Sequence, residues 1–336
     1  GDFTLTYGND LLSQCVDLDN SPINFERVDG ASARSINSIS SYPYLSNPEA
    51  LTSLPSVGNV NVLDTQIFVI KANEINQASE IIVKNGGILY LAGSFTGSKI
   101  KVENGGKLII TGTYTGNKIH PDSGGEVIVA PTGIFTITGN FNQGTLKNWG
   151  NVVYQSGTFD GSLENNNEVT FDDVVNLNGS STILNNCKLT FKGKATLNSQ
   201  LVNKSFVKFI DGFMINGSGV LKLTSGSYAK VTGGTYAYDG IIKNDDSSSA
   251  RLDLLGTKGN INGSNRIMGK IDVNFPSTPI VTLAELQDIY KADNNVTLNG
   301  NISILASACT EGAGSSGCNN LQLSFTSIQK FKYPIP

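Results

Sequence analysis

Two consecutive stretches of this 336-residue chain are near-copies of one another. Residues 81–99 read IIVKNGGILYLAGSFTGSK and residues 100–118 read IKVENGGKLIITGTYTGNK, with ten of nineteen positions identical. A period near twenty, made of short apolar pieces and Gly/Asn turns, permits few architectures. Each unit is too small to bury its own apolar face. It must stack on its neighbours, and the stack is a solenoid.

The turn residue anchors the pattern further along the chain. Anchors fall at Asn85, Asn104, Asp122, Asn148, Asn165, Asn185, Asn203, Ser225 and Asn244, 17 to 26 residues apart, which predicts about nine coils between residues 81 and 275. An apolar residue precedes most anchors by two, and an apolar pair follows at plus four and plus six, as in Leu89/Leu91, Val169/Phe171 and Leu189/Phe191. Spacing of two is strand alternation with one face buried. A third apolar residue (Phe95, Tyr114, Phe159, Leu177, Leu197, Phe213 or Tyr236) follows a small turn. Three strands per coil predict an all-β, right-handed parallel β-helix of about nine or more coils, right-handed because parallel crossovers overwhelmingly are. The anchor Asn and Gly are assigned to a corner that needs positive φ. Stacked Asn side chains are expected to bond from coil to coil as a ladder.

An open solenoid exposes unpaired edges, so both ends need caps. Residues 1–60 read as an irregular N-terminal cap, with a short helix opening at Asn47-Pro48. Residues 61–276 are the β-helix. Residues 277–336 read as a C-terminal cap, where Thr282 and Glu285 have capping-box spacing and Leu283, Leu286, Ile289 and Tyr290 form a buried stripe. Strand-like runs follow at 296–305 and 321–331. They bracket a small polar loop between Cys309 and Cys318, which is the disulfide candidate. Cys187 reads as packing or turn. A Cys15–Cys187 bond would tie the N-terminal cap to the middle of the rod, and the sequence leaves that pairing open.

Charged residues are 15% of the chain, the net charge is −4, and the arginines are only Arg27, Arg34, Arg251 and Arg266. Nucleic acid demands a concentrated basic face, so no such partner is expected. No apolar run approaches the ~20 residues of a membrane span. A monomer is favoured. His120 is the single histidine, which leaves a Ser-His-Asp triad one candidate and rules out a multi-histidine metal site. Asp172 and Asp173 are adjacent and would point to opposite faces of a strand. Asp245 and Asp246 lie in a polar insertion. Neither pair reads as two carboxyls ~5–9.5 Å apart. The NGG turns lack the Asp of calcium-binding nonapeptides, and the threonine runs ITGTYTG and FTITGNF are not sustained. No catalytic residue, metal or cofactor is assigned. Tyr90 and Tyr238, by parity, and Trp149, by its corner position, are the candidate ligand-binding planes.

Over residues 60–275 this coil register resembles the single-stranded right-handed parallel β-helix proteins of pectate-lyase-like or adhesin-like architecture. In composition the chain is similar to cell-surface adhesins of gut Bacteroidetes. That resemblance implies an extracellular or surface-anchored, non-catalytic protein whose partner is a host or cell-surface glycan or protein. The Asp cluster and the Arg/Lys base of pectate lyases have no counterparts here. A polysaccharide lyase or glycoside hydrolase on the same scaffold, and a structural stalk that projects another domain, are the alternatives.

Overall fold

A computed structural model describes residues 42–45, 47–178, 182–276 and 282–299. The described chain is a parallel β-solenoid of about eleven turns with very little helix. It has three faces. Face A is one unbroken eleven-stranded parallel sheet, from Ile67–Ile70 to Ile267–Gly269. Face B holds two short strands, Ile75–Asn76 and Ser94–Phe95, and then a ten-stranded sheet from Thr113–Gly116 to Thr297–Asn299. Face C begins with four strands, the first Asn59–Val62 and the last Ile119–Pro121. It continues through single bridges at Phe141 and Phe159 into five strands from Val175–Leu177 to Thr257–Ile261.

Alternation dictates what lies inside. The predicted pairs Leu89/Leu91, Val169/Phe171 and Leu189/Phe191, and all seven predicted third residues, are buried in a single core. Parallel registry places like on like: Phe171, Phe191 and Phe209 are direct partners on face B. Their rings stack with centroids 5.0 Å apart at each step, which follows from a strand spacing of ~4.8 Å.

The anchor series needs a correction. Asn85, Asn104 and Asp122 stand in the corner that leads into face A, whereas Asn148, Asn165, Asn185, Asn203 and Asn244 stand where face A ends. Registry proves the slip, because Asn148 pairs with Val129 and Val129 with Ile110. The 26-residue gap between Asp122 and Asn148 was one strand too long for a coil. With the corners separated, face A counts eleven coils.

The two corners work differently. Before face A, in the early coils, the turn is a β-turn whose third residue is glycine at positive φ: Gly86, Gly105 and Gly124 at 75–81°, closed by bonds such as Gly87 N–H to the Lys84 carbonyl at 3.0 Å. These are type II turns, and glycine rather than the expected Asn takes the left-handed position. Space enforces the choice as well, since a Cβ on Gly105 would lie 2.0 Å from Asn85 Oδ1. In the first coil Thr65 holds the same turn position at φ 63°. A β-branched residue is strained there. Thr65→Gly is expected to stabilise the protein by about 1 kcal/mol, read as a higher urea midpoint at unchanged slope.

The second corner is built from buried amides. Asn148 Nδ2 donates to Asn165 Oδ1 at 2.9 Å, Asn165 to Asn185 at 2.8 Å, and Asn185 to Asn203 at 2.7 Å. The expected ladder is therefore present in these four coils. It breaks at Leu223, the partner of Asn203. Asn244 bonds instead to the Ser248 and Lys270 carbonyls. Asn85 and Asn104 are exposed turn residues outside it.

At the far end the helix Leu283–Tyr290 starts at Thr282, with both arms of its capping box formed. Leu286 and Tyr290 are buried and Ile289 packs against the core, but Leu283 is 50% exposed, so the stripe starts one turn later than expected. Tyr238 Oη donates to the Tyr290 carbonyl at 2.9 Å and the Phe275 ring lies 4.9 Å from that of Tyr290, which seats the helix over the last coils. The expected short helix at Asn47-Pro48 is one 3₁₀ turn, Pro48–Ala50, capped by Asn47. Strand Thr297–Asn299 realises part of the run at 296–305. The rest of that run, the run at 321–331 and the Cys309–Cys318 loop lie outside the described residues.

Candidate functional surface

The outer side of face A is not uniform. In its first four coils the outward positions are Val69, Tyr90, Ile109 and Ile128, which are register partners. All four are buried. The chain before the first coil lies over them as a strap: Tyr42, Tyr44 and Leu51 pack on this apolar row. Its end is fixed by backbone and side chain together. Ser53 bridges Val69, with Val69 N–H donating to the Thr52 carbonyl at 3.1 Å and Leu54 N–H to the Val69 carbonyl at 2.8 Å. Ser53 Oγ donates to Glu74 Oε1 at 2.5 Å, and this bond, with the Lys71 N–H, holds the Glu74 carboxyl below its ordinary range.

This strap changes the reading of the aromatic candidates. Tyr90 is 3% exposed and its Oη accepts from Leu45 N–H at 3.3 Å; Trp149 is 4% exposed and meets Tyr42 edge-to-face at 5.8 Å. Tyr238 is fully buried in the core. The expected exposure of all three is therefore wrong. Parity placed Tyr90 outward correctly, but a layer that periodicity cannot register covers it. Tyr238 occupies an inward position, paired with Ile215. The three do not come together as a site.

Trp149 is the chain's one tryptophan, and the Tyr42 ring against it makes its fluorescence sensitive to the strap. Tyr42→Ala is expected to red-shift its emission and raise its quenching by acrylamide several-fold, with the far-UV circular dichroism unchanged. A spectrum equal to wild type would mean that the strap does not cover the ring.

Burial also sets the alkaline limit. Desolvation pushes the phenols of Tyr42, Tyr90, Tyr114, Tyr154, Tyr236, Tyr238 and Tyr290 up from their ordinary value, which is near 10. An acid raised in the folded state adds stability that is complete below its unfolded value and lost as pH rises above it. Absorbance at 295 nm is thus expected to show these phenols ionising late and together with unfolding, above about pH 10.

The carboxylates are placed by the coils as well. Asp172 meets Lys192 of the next coil at 2.7 Å. Asp245 takes Lys243 at 2.9 Å and Lys222 at 3.2 Å, and the two lysines hold its carboxyl below the ordinary range. Asp173 accepts from Val174 N–H and Asp246 from Ser225 N–H. Glu80, Glu103, Glu126 and Glu168 likewise pair with lysines of neighbouring coils. His120 is exposed on its strand and in register with Lys101. Among the described residues no group of three His, Cys, Asp or Glu is placed to hold a metal ion, and no helix is long and apolar enough to cross a membrane.

Sequence reading missed a second ladder. Asn198 Nδ2 donates to Asn178 Oδ1 at 2.6 Å, Asn216 donates to Asn198, and two coils on Asn262 donates to Asp239 at 2.6 Å. Each residue directly follows the last residue of its face C strand, a spacing that would have found them. No family model matches this chain, and searches of curated proteins and of solved structures find no similar protein.

Proposed function

We propose that this protein is a non-catalytic, extracellular β-helix that acts as an adhesion or ligand-binding surface protein. The observation that carries the reading is the use made of the carboxylates. A glycosidase needs a carboxyl poised to change its protonation state during the reaction, and a lyase of this architecture needs a free carboxylate cluster beside an Arg/Lys base. On this rod the acids flagged by the sequence are engaged by lysines or by backbone N–H groups, and Lys243 and Lys222 hold the Asp245 carboxyl below its ordinary range. The disulfide at Cys187 supports an oxidising, extracellular setting. Kinship in role with bacterial surface adhesins and recognition of a glycan or protein on a host or neighbouring cell belong to the same proposal. With Tyr90, Trp149 and Tyr238 buried, a glycan would be met by amide, hydroxyl and lysine side chains of the outer faces.

The test is native affinity electrophoresis of the protein through gels that contain single host or plant polysaccharides, stained afterwards for polymer. Retardation with the polymer intact is the expected result. A cleared zone would overturn the reading in favour of a lyase or hydrolase. Free migration in every gel would remove the glycan and leave a protein ligand or a structural stalk.

A further inference from the structure

On a single sheet layer, outward side chains shield one another only in part. Face A beyond the strap shows this: Leu184, Val202, Val220 and Ile241 point outward and are half-buried. Beneath the strap the positions in register with Leu184 and Val202, namely Val69, Tyr90, Ile109 and Ile128, are buried. Burial of an outward side chain on this rod therefore marks a second layer.

Face B carries that mark. In its strand Lys188–Phe191 all four residues are buried, although only Leu189 and Phe191 belong to the core. On the strands in register with it, Phe206, Tyr228 and Asp253 point outward and are 2%, 9% and 3% exposed. Among the described residues these side chains touch along the sheet: Lys188 meets Glu168 at 3.1 Å, the Phe206 and Tyr228 rings lie 5.3 Å apart, and Tyr228 Oη donates to Asp253 Oδ2 at 2.5 Å. Lateral contact of this kind leaves face A half-buried, so it does not account for face B.

We propose that residues 1–41 lie over face B as this second layer, fastened by a disulfide between Cys15 and Cys187. Cys187 immediately precedes Lys188, is fully buried and is disulfide-bonded. The other cysteines of the chain are Cys15, Cys309 and Cys318. Continuity of the strap favours Cys15. Tyr42, the first residue of the described strap, rests on Trp149 at the corner between faces A and B. Cys187 occupies the same corner two coils further on, along the Asn148–Asn165–Asn185 ladder. Two coil spacings are ~10 Å, and the 27 residues from position 15 to position 42 (42 − 15) span that many times over.

Charge points the same way. The outward side of face B carries Lys188, Lys208, Lys230 and Arg251 against Glu168, Asp253 and Asp272. Residues 1–41 hold six acids and two arginines, a net of −4, whereas residues 300–336 hold one acid and two lysines, a net of +1. The acidic segment complements the face. In it Phe3, Leu5 and Tyr7 alternate with threonines, a strand pattern that offers one apolar side to Phe206 and Tyr228.

The full chain, produced under oxidising conditions, is digested without reduction and analysed by mass spectrometry. A peptide pair joining Cys15 to Cys187, which separates on reduction, is expected. Zero-length carbodiimide coupling of the intact chain is expected to join an acid of residues 1–41 to Lys208 or Lys230. Cys187 joined to Cys309 or Cys318, a free Cys187 thiol, coupling through Glu311, or no coupling from residues 1–41 overturns the proposal.

Discussion

Asn185→Ala is expected to destabilise the rod by about 3–5 kcal/mol, because several buried polar groups lose a partner at once. Its amide donates to Asn203 Oδ1 and to the Phe206 carbonyl, each at 2.7 Å, and accepts from Asn165 Nδ2 at 2.8 Å. Water cannot replace these bonds at a fully buried corner. Asn104→Ala, which removes an amide that looks equivalent in the sequence, is expected to change stability by less than about 0.5 kcal/mol because that side chain is exposed. Urea midpoints at constant slope measure the contrast. Hydrogen exchange should place the Asn185 effect in the coils on either side of it. Equal shifts for the two variants would refute the assignment of the ladder to the second corner.

Phe191→Ala comes next in size, at about 3–5 kcal/mol. The ring is sandwiched between Phe171 and Phe209, so its loss opens a cavity and breaks two stacks, and strands held in strict registry cannot close in. Phe191→Leu refills most of the volume and is expected to cost under about 1.5 kcal/mol. Thermal unfolding followed by circular dichroism separates the two. Paired with Phe209→Ala, the Phe191→Ala loss should be less than additive, since both substitutions break the same stack.

Residue spacing made the coil legible. Period-two alternation identified inward residues on all three faces, with Tyr238 misassigned, and the Thr282…Glu285 spacing identified the C-terminal helix. Corner identity was less legible. A turn before face A and a turn after it both use Asn, and only strand registry reveals that Asn148 aligns with Val129 rather than with Asn104. Second layers left no periodic signal at all. Tyr90 obeys the parity of an outward residue and is buried because Tyr42 and Tyr44, some fifty residues earlier, fold back over it. Tyr90 and Trp149 failed as candidates for that reason, whereas Tyr238 failed because its parity was misread: it is an inward residue in register with Ile215. The acid pairs were read more fully, since adjacency alone indicated that Asp172 and Asp173 would not act together.

The contact of Thr52, Ser53 and Leu54 with the strand Ile67–Ile70 has a bearing on length. A stack of parallel coils is a template at each end, and a bare first edge would accept the last coil of another molecule and grow into a filament. Here that edge is already occupied by residues of the same chain, and the next residue, Pro55, has no N–H with which to carry the pairing on. Among the described residues this contact leaves the first edge of face A no free strand for another molecule to extend.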